Sequence, residues 1–217
     1  MPYTSIFFDL DDTIYPNQSG LWEAIRARMS QYMFERLGLP WERIPELRHD
    51  YFTTYGTTLR GLQKHYQVDA DDYLAYVHDL PLEQYLQPSP ALGPLLRSLP
   101  QRRWIFTNAD ADHARRVLSF LGILDCFEGI VDVRAIEFAC KPETIAYQRA
   151  LALAGQPEPA RCVLLDDSPY NLAPARQMGF TTVLVGQHEN GNLAAVHTIA
   201  SILELPEVMP DLWEAAN

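Results

Sequence analysis

Five short apolar runs in this chain end abruptly, four of them in polar residues, and that pattern limits its fold more than any other feature. Ile6-Phe7-Phe8 breaks into Asp9-Leu10-Asp11-Asp12-Thr13, and Trp104-Ile105-Phe106 into Thr107-Asn108. Ile130-Val131 breaks into Asp132, Val163-Leu164-Leu165 into Asp166-Asp167, and Thr182-Val183-Leu184-Val185 into Gly186. Runs this short and this apolar read as strands buried on both faces. Helical patterns lie between them. Val117, Leu118 and Leu121 share a face before Gly122, and Leu172 to Met178 stops at Gly179. Ile145, Ala146 and the stretch 149–153 follow Pro142, read here as a first-turn residue. Strands alternating with helices predict an α/β fold with a doubly wound, mostly parallel sheet. Such sheets bind ligands at the carboxyl ends of their strands, where the acidic residues of this chain gather.

Residues 15–90 break the rhythm and contain no convincing strand. Leu21, Ile25, Met29, Tyr32, Met33 and Leu37 recur at helical spacing, with Gly38 just beyond. Pro45 to Tyr55 reads as a second helix stopped by Gly56, and Thr58 is the expected cap of a third through Tyr66. Asp69, with Asp72 three residues on, starts a fourth containing Tyr73, Leu74 and Val77. The expected organisation is a core from 1–14 and 91–217, with a helical subdomain, 15–90, inserted after the first strand.

The 217 residues carry 28 acids against 17 basic groups, a formal charge of −11. Polymeric nucleic acid and anionic membranes reward Lys and Arg, so both are excluded as expected partners. Cys126, Cys140 and Cys162 are odd in number and lack metal-site spacing, which points to a reducing compartment. The start, MPYTSIFFDLDD, has neither a basic region nor a long apolar stretch, and a cytoplasmic protein is expected.

Asp9 and Asp11 follow one strand two residues apart; Asp166 and Asp167 end another. A single acidic pair is more often a solvated loop or helix cap. Two pairs at strand ends of one parallel sheet share a side, and carboxylates gathered there repel unless a cation such as Mg²⁺ joins them. Only Lys64 and Lys141 are lysines, and Lys141 stands just before a predicted helix, where an ammonium meets a phosphate or holds a carboxylate. The alternative is an ordinary surface lysine. Thr107-Asn108, at another strand end, offers a hydroxyl and an N–H to an anionic oxygen, or else caps a helix.

In chain order these segments are FFDLDDT (7–13), IFTNA (105–109), CKPE (140–143) and LLDDSPYN (164–171), followed by GFTTVLVG (179–186). That series resembles the four motifs of the haloacid dehalogenase-like (HAD) phosphohydrolases, whose core is Rossmann-like and whose helical insert is a cap. DDTIYPNQSGL (11–21) and YGTTLRGL (55–62) resemble the pyrimidine 5′-nucleotidase subgroup. The resemblance implies an Mg²⁺-dependent phosphomonoester hydrolase. Asp9 would be the nucleophile and Asp11 the general acid and base, with Thr107 and Lys141 assisting. Mg²⁺ would be held by Asp9, Asp11 through its carbonyl, and Asp167, with Asp166 completing or orienting the set. Leu10, Thr107, Asn108 and Lys141 would hold the phosphoryl oxygens. Thr13 and Asn171 take supporting roles; Asn171 stands where some members carry another Asp.

Asn17, Thr57 and Arg60 are the candidates for contacting the leaving group, with a nucleoside monophosphate the expected substrate for a monomer or homodimer. The alternatives within the same chemistry are sugar phosphates, phosphoglycolate or flavin mononucleotide. Dehalogenating relatives lack the second aspartate, so Asp11 argues against halide removal. A phospho-acceptor signalling domain also combines acids, Thr, Lys and Mg²⁺, but there the acceptor aspartate comes later in the chain. A binding protein without activity would not need every expected catalytic residue type.

Overall fold

The computed structural model describes residues 3–186 and 194–214. The chain forms two compact units, residues 1–18 with 86–217, and residues 19–85.

The first unit is built on a six-stranded sheet. Its strands are β1 (Ser5–Phe8), β2 (Arg102–Phe106), β3 (Gly129–Val131), β4 (Cys162–Asp166), β5 (Thr181–Val185) and β6 (His197–Ile199). They lie in the order β3-β2-β1-β4-β5-β6, and every neighbouring pair is parallel. The expected doubly wound α/β architecture is present. The chain leaves β1 toward β2 and β3, then returns to the other side through β4, so the β1/β4 boundary is the switch point where such sheets bind ligands. Among the described residues, five α-helices belong to this unit: Leu92–Ser98, Ala111–Phe120, Thr144–Leu153, Pro169–Gln177 and Leu205–Val208.

All four β1 residues are buried, as a central strand covered on both faces requires. Alternation sends Phe7 to one face, where it meets Phe106 and Phe180 edge-on at centroid distances of 6.4 and 6.0 Å. Leu164, Val131, Tyr147 and Leu184 complete that layer. Register matters more for function. Phe8 lies opposite Leu165, so the next residues, Asp9 and Asp166, emerge side by side. The Asp9 N–H still donates to the Leu165 carbonyl, at 2.9 Å, which extends the ladder into the acidic segment.

The second unit contains four helices, here α1 (Leu21–Glu35), α2 (Ile44–Tyr55), α3 (Thr58–Tyr66) and α4 (Ala70–His78). Tyr32 of α1 packs edge-on against Tyr73 and Tyr76 of α4, at 5.0 and 5.3 Å, and its hydroxyl donates to Asp72 at 2.8 Å. Gly61 of α3 lies so close to α2 that an added Cβ would stand 2.2 Å from Tyr51 Cγ. Tyr51 also stacks on His65, with rings 9° from parallel, and His65 bonds the Tyr55 hydroxyl. The Asp69 carboxylate accepts from the N–H groups of Asp71 and Asp72, the expected cap of α4.

Two local expectations are corrected. Thr57, not Thr58, caps α3: its hydroxyl accepts from the Arg60 N–H, while Thr58 is already helical. Pro142 is not in a first turn, because the helix starts at Thr144 with Glu143 as its cap. No helix among the described residues is long and apolar enough to cross a membrane.

Candidate active site

The carboxyl ends of β1 and β4 place Asp9 and Asp166 next to each other, and Lys141 joins them. Its Nζ donates to Asp9 Oδ1 at 2.7 Å and to Asp166 Oδ2 at 2.6 Å, with only 1% of its side chain exposed. Burial opposes the ammonium, but the charges of Asp166 and Asp9 and their hydrogen bonds hold its proton affinity above that of an ordinary lysine. A reciprocal pair of bonds sets the lysine's position. The Asn108 side-chain carbonyl accepts from the Lys141 N–H at 2.8 Å, and its amide donates to the Lys141 carbonyl at 3.0 Å.

Asp9 is held at both oxygens, since the Thr13 hydroxyl donates to Oδ2 at 3.2 Å. Burial pushes its carboxyl well above the usual range, Lys141 opposes this, and the charges of Asp166 and Asp167 add to it. Asp167 rises to about 7, through burial first and Asp166 next. One ammonium therefore faces more buried negative charge than it offsets.

Asp166 is fully used by the protein. Oδ1 accepts from the Ser168 N–H and the Asn171 amide, both at 2.9 Å; Oδ2 accepts from Lys141 and, at 3.3 Å, from Asn171. Asn171 is fixed in turn by the Tyr147 hydroxyl, which donates to its carbonyl. Asp9, Asp166 and Asp167 each offer an oxygen within 4.8 Å of the others. Three hard oxygens with excess charge fit a small divalent cation such as Mg²⁺. The saturation of Asp166 makes it the least available of the three.

Asp11 has different surroundings. Its Oδ1 accepts from the Tyr15 hydroxyl at 2.5 Å and is bonded to His113 Nε2 at 2.9 Å. The turn between them runs through Asp12, whose φ of 60° is left-handed, a conformation Asp tolerates better than most residues. Thr107 is buried, and its hydroxyl accepts from the Ala109 N–H at 3.0 Å. Leu10 is buried and its carbonyl accepts from the Ile14 N–H, closing the same turn.

Asp9, Thr13, Asn108, Lys141, Asp166 and Asn171 thus form one bonded network. Asn17 is exposed in a short 3₁₀ turn, Asn17–Ser19. Thr57 and Arg60 stand at the first turn of α3 in the helical unit, where the Thr57 hydroxyl serves as the helix cap. Tyr15 and His113 were not among the residues expected at the site. His113 follows the capping residue Asp110, whose carboxylate accepts from the His113 N–H at 2.9 Å. That cap is a readable signal for the helix, but not for a contact made 102 residues away.

Comparison with known proteins agrees with this geometry. Residues 3–179 match the family described as haloacid dehalogenase-like hydrolase. Phosphate metabolism protein 8 of Saccharomyces cerevisiae is 30% identical over 229 residues, spanning 94% of this chain and 71% of that protein. Among solved structures, CbbY from Rhodobacter sphaeroides in complex with phosphate aligns with TM-score 0.69 at 21% identity, covering 94% of this chain and 96% of that one. A HAD phosphatase from Thermococcus onnurineus aligns at 0.64 with 21% identity and the same coverages, 94% and 96%. L-2-haloacid dehalogenase from Xanthobacter autotrophicus aligns at 0.60 with 16% identity, covering 94% and 97%. With the family match spanning residues 3–179 and the acidic network lying where the strand order reverses, this chain belongs to the haloacid dehalogenase-like hydrolases.

Proposed function

We propose that this hydrolase cleaves phosphomonoesters through an aspartyl-phosphate intermediate and acts on pyrimidine nucleoside monophosphates. One observation carries the reading: two aspartates two residues apart have opposite surroundings. Asp9 is bound to an ammonium, and Asp11 to a phenol and an imidazole. Carboxyls placed in contrasting environments divide into nucleophile and proton carrier.

Asp9 attacks phosphorus, a P–O bond forms to its carboxylate, and the bond to the leaving oxygen breaks. Asp11 gives that oxygen its proton. Asp11 then takes a proton from the water that attacks the acyl phosphate, releasing inorganic phosphate and restoring Asp9. Lys141 keeps Asp9 oriented and lends positive charge to the phosphoryl oxygens, assisted by Thr107 and the main chain at Leu10 and Asn108. Asp9, Asp167 and the Asp11 carbonyl, with Asp166 behind them, would hold Mg²⁺, which would supply further charge neutralisation. Halide displacement has no use for the proton carrier at Asp11.

Support for a nucleotide substrate comes from DDTIYPNQSGL and YGTTLRGL. Residues 15–90 are read as the cap that selects the leaving group, with Asn17, Thr57 and Arg60 as its polar candidates. The test is phosphate release from UMP, CMP, AMP and flavin mononucleotide with and without Mg²⁺. Turnover that requires Mg²⁺, prefers UMP and CMP, and is lost in Asp9→Asn is expected. A preference for another ester retires the nucleotide assignment, and full turnover by Asp9→Asn retires the mechanism.

A further inference from the structure

Tyr15 and His113 converge on the same oxygen of Asp11. Both side chains are buried, at 4% and 2% exposure, whereas 13% of the Asp11 side chain is open. The two side chains arrive from separate parts of the unit. Tyr15 comes from the turn after β1, and His113 from the first turn of the helix Ala111–Phe120, whose start is fixed by the Asp110 cap. A carboxyl oxygen has two in-plane lone-pair directions, so one oxygen can meet both side chains at once.

We infer that Tyr15 and His113 are positioning residues that anchor Asp11 through Oδ1 and so hold its carboxyl in one rotamer. The inference rests on the proposed role of Asp11 as proton carrier. The acid of the first step and the base of the second are then one carboxyl in one place, with no side-chain rotation between them. Burial, reinforced by the charge of Asp11, keeps the Tyr15 hydroxyl protonated well beyond the ordinary tyrosine range, so it remains a donor throughout.

The leaving group provides the test. An alkoxide needs a proton as it departs; p-nitrophenolate, a weak base, does not. Tyr15→Phe removes one donor and leaves the ring. We expect kcat/KM for the fastest alkyl monophosphate of the panel above to fall about 10-fold, against less than about 2-fold for p-nitrophenyl phosphate, since only part of a general-acid contribution of about 10²–10⁴ is lost. His113→Leu should show the same selective loss, and His113→Gln, which keeps an N–H at similar reach, should recover most of it. Equal losses for both esters, no loss for the alkyl ester, or no recovery in His113→Gln overturns the inference. If His113→Leu does not fold, Tyr15→Phe decides alone. Failure of the underlying reading looks different: wild type turns over neither ester, or Asp9→Asn remains active, and the inference then falls with it.

Discussion

The two units handle polar groups in opposite ways. In the α/β unit, Lys141, Asp9 and Asp166 are almost fully buried, and nearly every oxygen has an assigned donor. In the helical unit the Arg26–Glu23 ion pair sits at the surface, 3.9 Å apart with 53% and 71% of the side chains exposed, and the half-buried Arg48 bonds only neutral groups such as the Ser30 hydroxyl among its assigned partners. Its interior relies on tyrosine rings, as in the Tyr32–Tyr73 and Tyr32–Tyr76 contacts. Burying a charge costs several kcal/mol unless it is paired. A chain keeps such an arrangement where chemistry uses it. Surface pairs and aromatic packing hold helices together, and each is individually replaceable.

Lys141→Met should break this contrast most severely. It leaves Asp9 and Asp166 without their ammonium in a buried site, a loss of about 3–5 kcal/mol in urea unfolding, with no turnover. A loss within the range of a surface substitution means that the carboxylates are better solvated than their burial implies. Asp167→Asn should act in the opposite direction. A carboxyl raised from 3.8 to about 7 binds extra protons in the folded state, so stability falls as pH climbs from about 4 to about 7. Above about pH 7 without divalent cation, Asp167→Asn should melt at a higher temperature than wild type; below about pH 4, or with Mg²⁺ present, the gap should close. An unchanged melting curve at both ends removes the excess-charge argument.

In the helical unit, Gly61→Ala places a methyl against Tyr51 Cγ and Cβ and should cost about 1–3 kcal/mol, leaving KM-independent chemistry at p-nitrophenyl phosphate intact. The smallest effect belongs to Arg26→Ala, where no measurable change in the unfolding midpoint is expected. A large loss there sharpens the comparison differently, by showing that the helical unit does depend on its surface charges.

Much of this was legible where local chemistry and topology coincide. Apolar runs that end abruptly marked β1, β2, β3, β4 and β5, and parallel register alone brings Asp9 beside Asp166. Asp69 and Gly56 announced helix ends through their own backbone needs. Other elements lacked such a signal. β6 has only three residues, His197–Ile199, and exists because β5 offers an edge. The helix Leu92–Ser98 contains Gly93 and Pro94, both poor helix formers, and is set by packing rather than propensity. In Thr57-Thr58 two equivalent capping side chains stand in succession, and propensity does not choose between them. Tyr15 and His113 look like core residues in isolation. Their role depends on a fold that closes a long loop between them.

The Asn108 clamp has a consequence for how such a site changes over time. It grips only the main-chain N–H and C=O of residue 141, so it is indifferent to the side chain carried there. The loop is a socket, and lysine is what this chain has plugged into it. Side-chain chemistry at that point is therefore separable from loop architecture, and a relative can exchange one without rebuilding the other.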